Sequence, residues 1–213
     1  MSQVTRPNRT GLPGKQGMYD PALEHDACGF GFIANIHNQP SHEIVNQALQ
    51  IVVNMDHRGA VGADPLAGDG AGILIQTPDK FMRKEFAAQG IEVPAMGDYA
   101  VGMVFLPRDQ KVRDAGIDAI NRVTMAEGQI VLGWRDVPVD NSVLGESVKP
   151  NEPVIKQVLI ARGPNTPDTD AFDRKLYVIR KQSHHLIWDA DDTAWQNFYM
   201  PSLSSRTIVY KGL

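Results

Sequence analysis

The sequence is poor in the residues that many kinds of chemistry require. Only one cysteine, Cys28, occurs in 213 residues. The chain therefore forms no internal disulfide, no Cys-based zinc cage and no iron–sulfur cluster of its own, each of which needs several thiolates. The six histidines (His25, His37, His42, His57, His184 and His185) include no HExxH and no pair at ligand spacing with acidic partners, so no metal is expected. Long apolar runs are missing too, and none approaches the roughly 18 residues of a membrane span. An excess of positive charge is equally absent. The net charge is −4 and the 21 Lys and Arg are scattered, which argues against nucleic acid as a partner, as the lack of apolar runs argues against a membrane. Arg6, Arg9 and Lys15 precede no apolar core, so the leader is not a secretory signal, and the sequon Asn8-Arg9-Thr10 is read as chance. These absences together point to a reducing, cytoplasmic compartment.

What is present is an ordinary globular composition, 42% hydrophobic, sufficient for one substantial domain or two small ones. Residues 1–20 combine Pro7, Pro13, Gly11, Gly14 and Gly17 with polar residues and read as an extended arm. From Cys28 to Ile36 the apolar residues cluster without a helical period, and Gly29 and Gly31 disfavour a helix, so a strand with close backbone packing is expected. Ser41 is a suitable N-cap for a helix reaching about Met55, with Ile44, Val45, Ala48, Leu49, Val52 and Val53 as one apolar stripe. That helix leads to His57-Arg58-Gly59. The loop AGDGAG at 67–72 enters a strand at Ile73–Gln76, and Thr77-Pro78 predicts an N-cap and first helical residue for a helix over 78–88. Strands are expected at about 99–106, 129–135 and 154–161, helices at about 108–126 and 170–187, and two closing strands in NFYMPSL and RTIVYKG. Intermixed strands and helices imply a layered α/β or α+β domain.

A lone cysteine is most simply a small buried hydrophobe. Two features point elsewhere: Cys28 opens its apolar run, and the glycines behind it let another group approach the backbone. Cleavage between Ala27 and Cys28 would also give the thiol its own base. A free α-amino group titrates near pH 8 and a thiol near 8.5, so the amine can take the thiol proton at neutral pH, whereas the amide of the uncleaved chain cannot. The resulting thiolate would suit attack on an amide carbonyl.

The segments YDPALEHDACGFGFIANI, HRGAVGADPLAGDGAGILIQTPDKF, VGMVFLP, GWRDVP and FYMPSLSSRTIVYKG resemble, in order and spacing, the amino-terminal part of the glutamate synthase large subunit family. The cysteine-glycine opening and the HRG after the first helix are shared with other class II glutamine amidotransferases; the GDGAG loop and the later segments favour glutamate synthase. The resemblance implies a leader at 1–27 and, over 28–213, the amino-terminal part of a glutaminase domain. Its implied fold is the α+β, four-layer αββα sandwich of N-terminal-nucleophile hydrolases, incomplete in this chain. Cys28 would be the catalytic nucleophile, attacking the side-chain amide of L-glutamine and holding a γ-glutamyl thioester. Ammonia would pass to downstream synthase domains and react with 2-oxoglutarate. FMN and an iron–sulfur cluster are implied for the complete enzyme, with none in this chain, and a small electron-donating subunit is a further possible partner.

Arg58 matches the arginine of the family motif, where a guanidinium can order the nucleophile's loop, bind a carboxylate or favour the thiolate; the plainer alternative is an interaction with the last carbonyls of the first helix. The AGDGAG loop lacks the Lys-Ser or Lys-Thr of a P-loop and a preceding strand, so it is read as a tight turn with Asp69 capping backbone amides. Adjacent helical residues point about 100° apart, so His184 and His185 are read as surface or helix-end residues, and Trp134, Trp188 and Trp195 as packing residues. One departure is plain: class II amidotransferases use an Asn-Gly oxyanion hole, and no Asn-Gly occurs here. Losing a single oxyanion donor costs on the order of a hundredfold or more in rate, so this stretch alone is expected to be inactive. Three readings stand: part of a glutamate synthase, an amidotransferase serving another acceptor, or a truncated binding or regulatory module.

Overall fold

The computed structural model describes residues 15–20, 29–55, 64, 66, 70–188 and 198–211. Along the chain lie α1 (His42–Asn54), β1 (Gly72–Gln76), α2 (Asp79–Ala87), β2 (Tyr99–Leu106), α3 (Gln110–Ala126) and β3 (Ile130–Asp136). A short 3-10 turn (Lys149–Asn151), β4 (Val154–Ala161), α4 (Thr169–Trp188), β5 (Tyr199–Ser204) and β6 (Thr207–Lys211) follow. Strands pair antiparallel in a four-stranded sheet ordered β3-β4-β2-β5 and a two-stranded sheet β1-β6. The mixed α+β class is as expected.

The continuous apolar run YAVGMVFL makes β2 the centre of the molecule: all eight residues are buried, as expected of a strand covered on both faces. Side chains alternate across a strand, so Ala100, Val104 and Leu106 join Val158 and Ile160 against Ala119, Ile120 and Val123 of α3 and Phe172, Leu176 and Ile179 of α4. Tyr99, Val101, Met103 and Phe105 face the other way, meeting Met82 and Phe86 of α2 and Ile208 of β6. Gly102 is required at the middle of this strand, because a Cβ there would lie 2.7 Å from Val158 Cγ1. Asp109 caps α3 by accepting from the Val112 amide at 3.0 Å. One face of the four-stranded sheet is therefore covered by α3 and α4, and the other meets α2 and β6.

Two expectations are corrected. The described part of the run from Cys28 to Ile36, residues 29–36, forms no strand. A strand needs a neighbouring ladder for its amides and carbonyls, and Phe30, Phe32 and Ile36 are exposed. Instead, Asn35 Oδ1 accepts from the His37 amide at 2.8 Å and bends the chain before α1. Close packing of a glycine does hold: a Cβ on Gly31 would lie 2.5 Å from Ile51 Cγ2 of α1. The second correction is at α2, which begins one residue later than Thr77-Pro78 predicts. Pro78 occupies the cap position without a side-chain cap bond, and the Thr77 hydroxyl is buried without a hydrogen-bond partner. The other helices and strands fall within a residue or two of their expected bounds.

Candidate functional site

Cys28, the Ala27–Cys28 bond, His57, Arg58, Asp69 and Trp195 lie outside the described residues. The elements that flank them in the chain are described. Ser41 Oγ accepts from the Ile44 amide at 3.4 Å and starts α1. The helix closes at Met55, whose amide bonds to Ile51 O and Val52 O at 3.1 Å, three residues before Arg58 in the sequence. Gly70, at φ +81°, turns the far end of the same connection into β1. Gly72 then lies against β6, where a Cβ would sit 2.8 Å from Tyr210 O, and the strand follows as expected, while residues 67–69 of the expected turn lie outside the described residues. α1 packs on β1, and the side chains on this side are only partly covered: Leu74 is exposed, as are Leu49 and Val53 of α1.

Between Arg58 and Gly70, Asp64 is a fixed point. Its carboxylate accepts from the Ser147 hydroxyl at 2.5 Å and from the Leu66 amide at 3.0 Å. These bonds, the Ser147 hydroxyl first, hold the Asp64 carboxyl below the ordinary carboxylate range. Gly145 is buried against the same carboxylate, and a Cβ there would collide with it. Sequence reasoning missed this group, since no motif links Asp64 to Gly145 and Ser147.

A second polar group was also missed. Arg135, 6% exposed, donates to Gln157 Oε1 at 2.5 Å and to Glu85 Oε2 at 2.9 Å, and stands over the Phe81 ring. Gln157 in turn donates to the Tyr210 hydroxyl at 3.2 Å, so this network ties α2 to both sheets. Beside it, the Asp79 carboxyl is held low, first by the Arg83 guanidinium and then by the Tyr99 hydroxyl, while burial, followed by the Asp79 bond, pushes the Tyr99 phenol up.

The remaining conspicuous residues have structural settings. Trp134 Nε1 donates to Asn121 Oδ1 at 3.0 Å and its ring packs on the main core. His185 is exposed and His184 partly so, with their rings edge to face at 6.2 Å between centroids. Among the described residues, no three His, Cys, Asp or Glu side chains converge as metal ligands, and no helix is long and apolar enough to cross a membrane.

The chain matches the family described as class II glutamine amidotransferases over residues 28–213, from the lone cysteine onward. The chain belongs to the class II glutamine amidotransferases. Within that family it is similar to the NADPH glutamate synthase large chain of Bacillus subtilis, with 45% identity over 202 residues, covering 95% of this chain and 13% of that one. It is also similar to the NADH glutamate synthase of Schizosaccharomyces pombe, 45% identical over 94% of this chain and 10% of the relative. The ferredoxin-dependent glutamate synthase 2 of Synechocystis is 40% identical over 89% of this chain and 12% of the relative. The amidotransferase chain thus spans only about an eighth or less of the length of these relatives.

Proposed function

We propose that the chain is the glutaminase part of a glutamate synthase, with Cys28 as its amino-terminal nucleophile once residues 1–27 are removed. The observation that carries this reading is the family match, which starts at Cys28 and runs to 213, combined with similarity to glutamate synthases along nearly the whole chain.

In this reading the freed α-amine accepts the Cys28 thiol proton and the thiolate attacks the side-chain amide carbon of glutamine. The tetrahedral adduct collapses as the C–N bond breaks, the amine's proton passing to the departing nitrogen, and ammonia leaves a γ-glutamyl thioester. Water, deprotonated by the same amine, attacks the thioester carbonyl; the C–S bond breaks, and glutamate and the thiol return. Arg58 orders the nucleophile's loop or holds the substrate carboxylate. The fold in this reading is the four-layer αββα sandwich of N-terminal-nucleophile hydrolases, incomplete in this chain, a reading supported by the mixed α+β class with two antiparallel sheets.

Ammonia then reacts with 2-oxoglutarate in domains outside this stretch. One cysteine cannot supply a cluster's ligands, so the iron–sulfur cluster belongs to those domains, to which FMN is assigned by the same reading. The electrons come from further domains or from a small electron-donating subunit, and the complete enzyme works in the cytoplasm. Relatives named for NADPH, NADH and ferredoxin are matched at 45%, 45% and 40% identity, so this segment does not choose the electron donor.

The test is Cys28→Ala in the full-length enzyme. Glutamine-dependent activity should fall by at least about a thousandfold, while ammonia-dependent activity persists. Equal loss of both activities, or survival of the first, would defeat the reading.

A further inference from the structure

β3 and β4 are antiparallel neighbours, which a loop of about 2–5 residues normally joins. Here the joining segment occupies 137–153, and connections longer than about 12–15 residues are generally functional or disordered. This one is ordered by its own backbone: Val148 N and Lys149 N bond to Gly145 O at 3.0 and 3.2 Å, and Asn151 N bonds to Val148 O at 2.9 Å. Its two stems, the start of β4 and Arg108 line a groove of about 220 Å³. The glutaminase reading gives that groove no role.

The apolar lining is aliphatic, with Val137 and Val139 from the connection and Val154 and Ile155 from β4. Charge lines it as well. Arg108 has one nitrogen committed, Nη1 donating to Lys149 O at 2.8 Å, and its guanidinium has no other partner among the described residues. Glu152 has one oxygen committed, Oε2 accepting from Asn141 Nδ2 at 3.3 Å, and it forms no ion pair with Arg108. Asp136, the third charged residue of the groove, is already matched by Lys156 at 2.5 Å. The groove thus offers one spare cation, one spare anion and an aliphatic wall. A guanidinium binds a carboxylate through a two-pronged fork, and a carboxylate binds an ammonium through charge-assisted hydrogen bonds. Only a zwitterion with an apolar body uses all three. The volume lies below the roughly 300–1,000 Å³ of sites for drug-sized ligands, which limits the occupant to few non-hydrogen atoms. We propose that this groove binds a free aliphatic α-amino acid of about the size of valine or leucine. Its carboxylate pairs with Arg108, its ammonium with Glu152, and its side chain packs on the valines.

The experiment is equilibrium dialysis of radiolabelled L-leucine against the full-length enzyme. Saturable binding with a Kd on the order of 1 mM is expected for so small a ligand. Arg108→Met and Glu152→Gln should each weaken it about tenfold, the loss of one charge-assisted pair, and Val139→Asp should weaken it at least as far. Against the wild-type enzyme, L-valine and L-isoleucine should displace the label. Isocaproate, which lacks the ammonium, and isoamylamine, which lacks the carboxylate, should compete at least about tenfold less well. No saturable binding up to a concentration on the order of 10 mM, unchanged binding in both charge variants, or equal competition by either analogue would each overturn the proposal. The competition arm needs no variant, so it decides if a substitution fails to fold.

Discussion

The layer of β2, β4, α3 and α4 and the region of residues 29–36, α1 and β1 are built from similarly apolar sequence, yet they are covered very differently. Val104, Leu106, Ile160, Phe172, Leu176 and Ile179 are fully buried, whereas Phe30, Phe32 and Ile36 are 80% or more exposed. The first region satisfies itself: its strands ladder with one another and its helices present stripes at regular spacing. In the second, residues 29–36 have apolar side chains without a ladder to order them, and β1 is paired only with β6 and leaves Leu74 exposed. An apolar run therefore becomes a buried strand only where partners exist for its backbone.

The contrast makes quantitative predictions for the 213-residue chain. Phe172→Ala opens a cavity in the main core and should lower unfolding free energy by about 3–5 kcal/mol, measured by urea denaturation. Phe30→Ala should change it by less than about 0.5 kcal/mol. Similar costs for the two would erase the distinction between the regions. Glu85→Ala should have the next largest effect, about 2 kcal/mol, because it leaves the buried Arg135 guanidinium with only Gln157 and the Phe81 face. A neutral result there would mean that α2 is held to the sheet by apolar contact alone.

A smaller effect than that of Glu85→Ala is pH dependent. The folded-state carboxyl of Asp79 lies below its ordinary value because of Arg83 and Tyr99. Its contribution is therefore full above the unfolded pKa, near 4, and is lost as pH falls through the lower folded value. Asp79→Asn should cost less than about 1 kcal/mol at neutral pH, and the gap to wild type should close on acidification. A gap that is constant with pH would show that the Asp79 charge is immaterial.

Much of this architecture was legible because local signals agreed with global ones. The eight-residue run at β2, the Ser41 cap and the apolar stripe from Ile44 to Val53 that follows it are each local signals. The strand expected from Cys28 failed because apolar content says nothing of a ladder, and Thr77 failed as a cap because its hydroxyl was buried instead. The candidate nucleophile was legible from chemistry, one thiol with a leader that could be removed. The Asp64–Ser147 bond and the Arg135 network were not, because they join residues from distant parts of the chain whose meeting depends on how the sheet is assembled.

The central claim is that Cys28 works as an amino-terminal residue. The most direct test is the intact mass and amino-terminal sequence of the protein purified from its own cell. A chain beginning with Cys28-Gly29-Phe30 is the predicted result, and an active enzyme that retains Ala27 joined to Cys28 would contradict it.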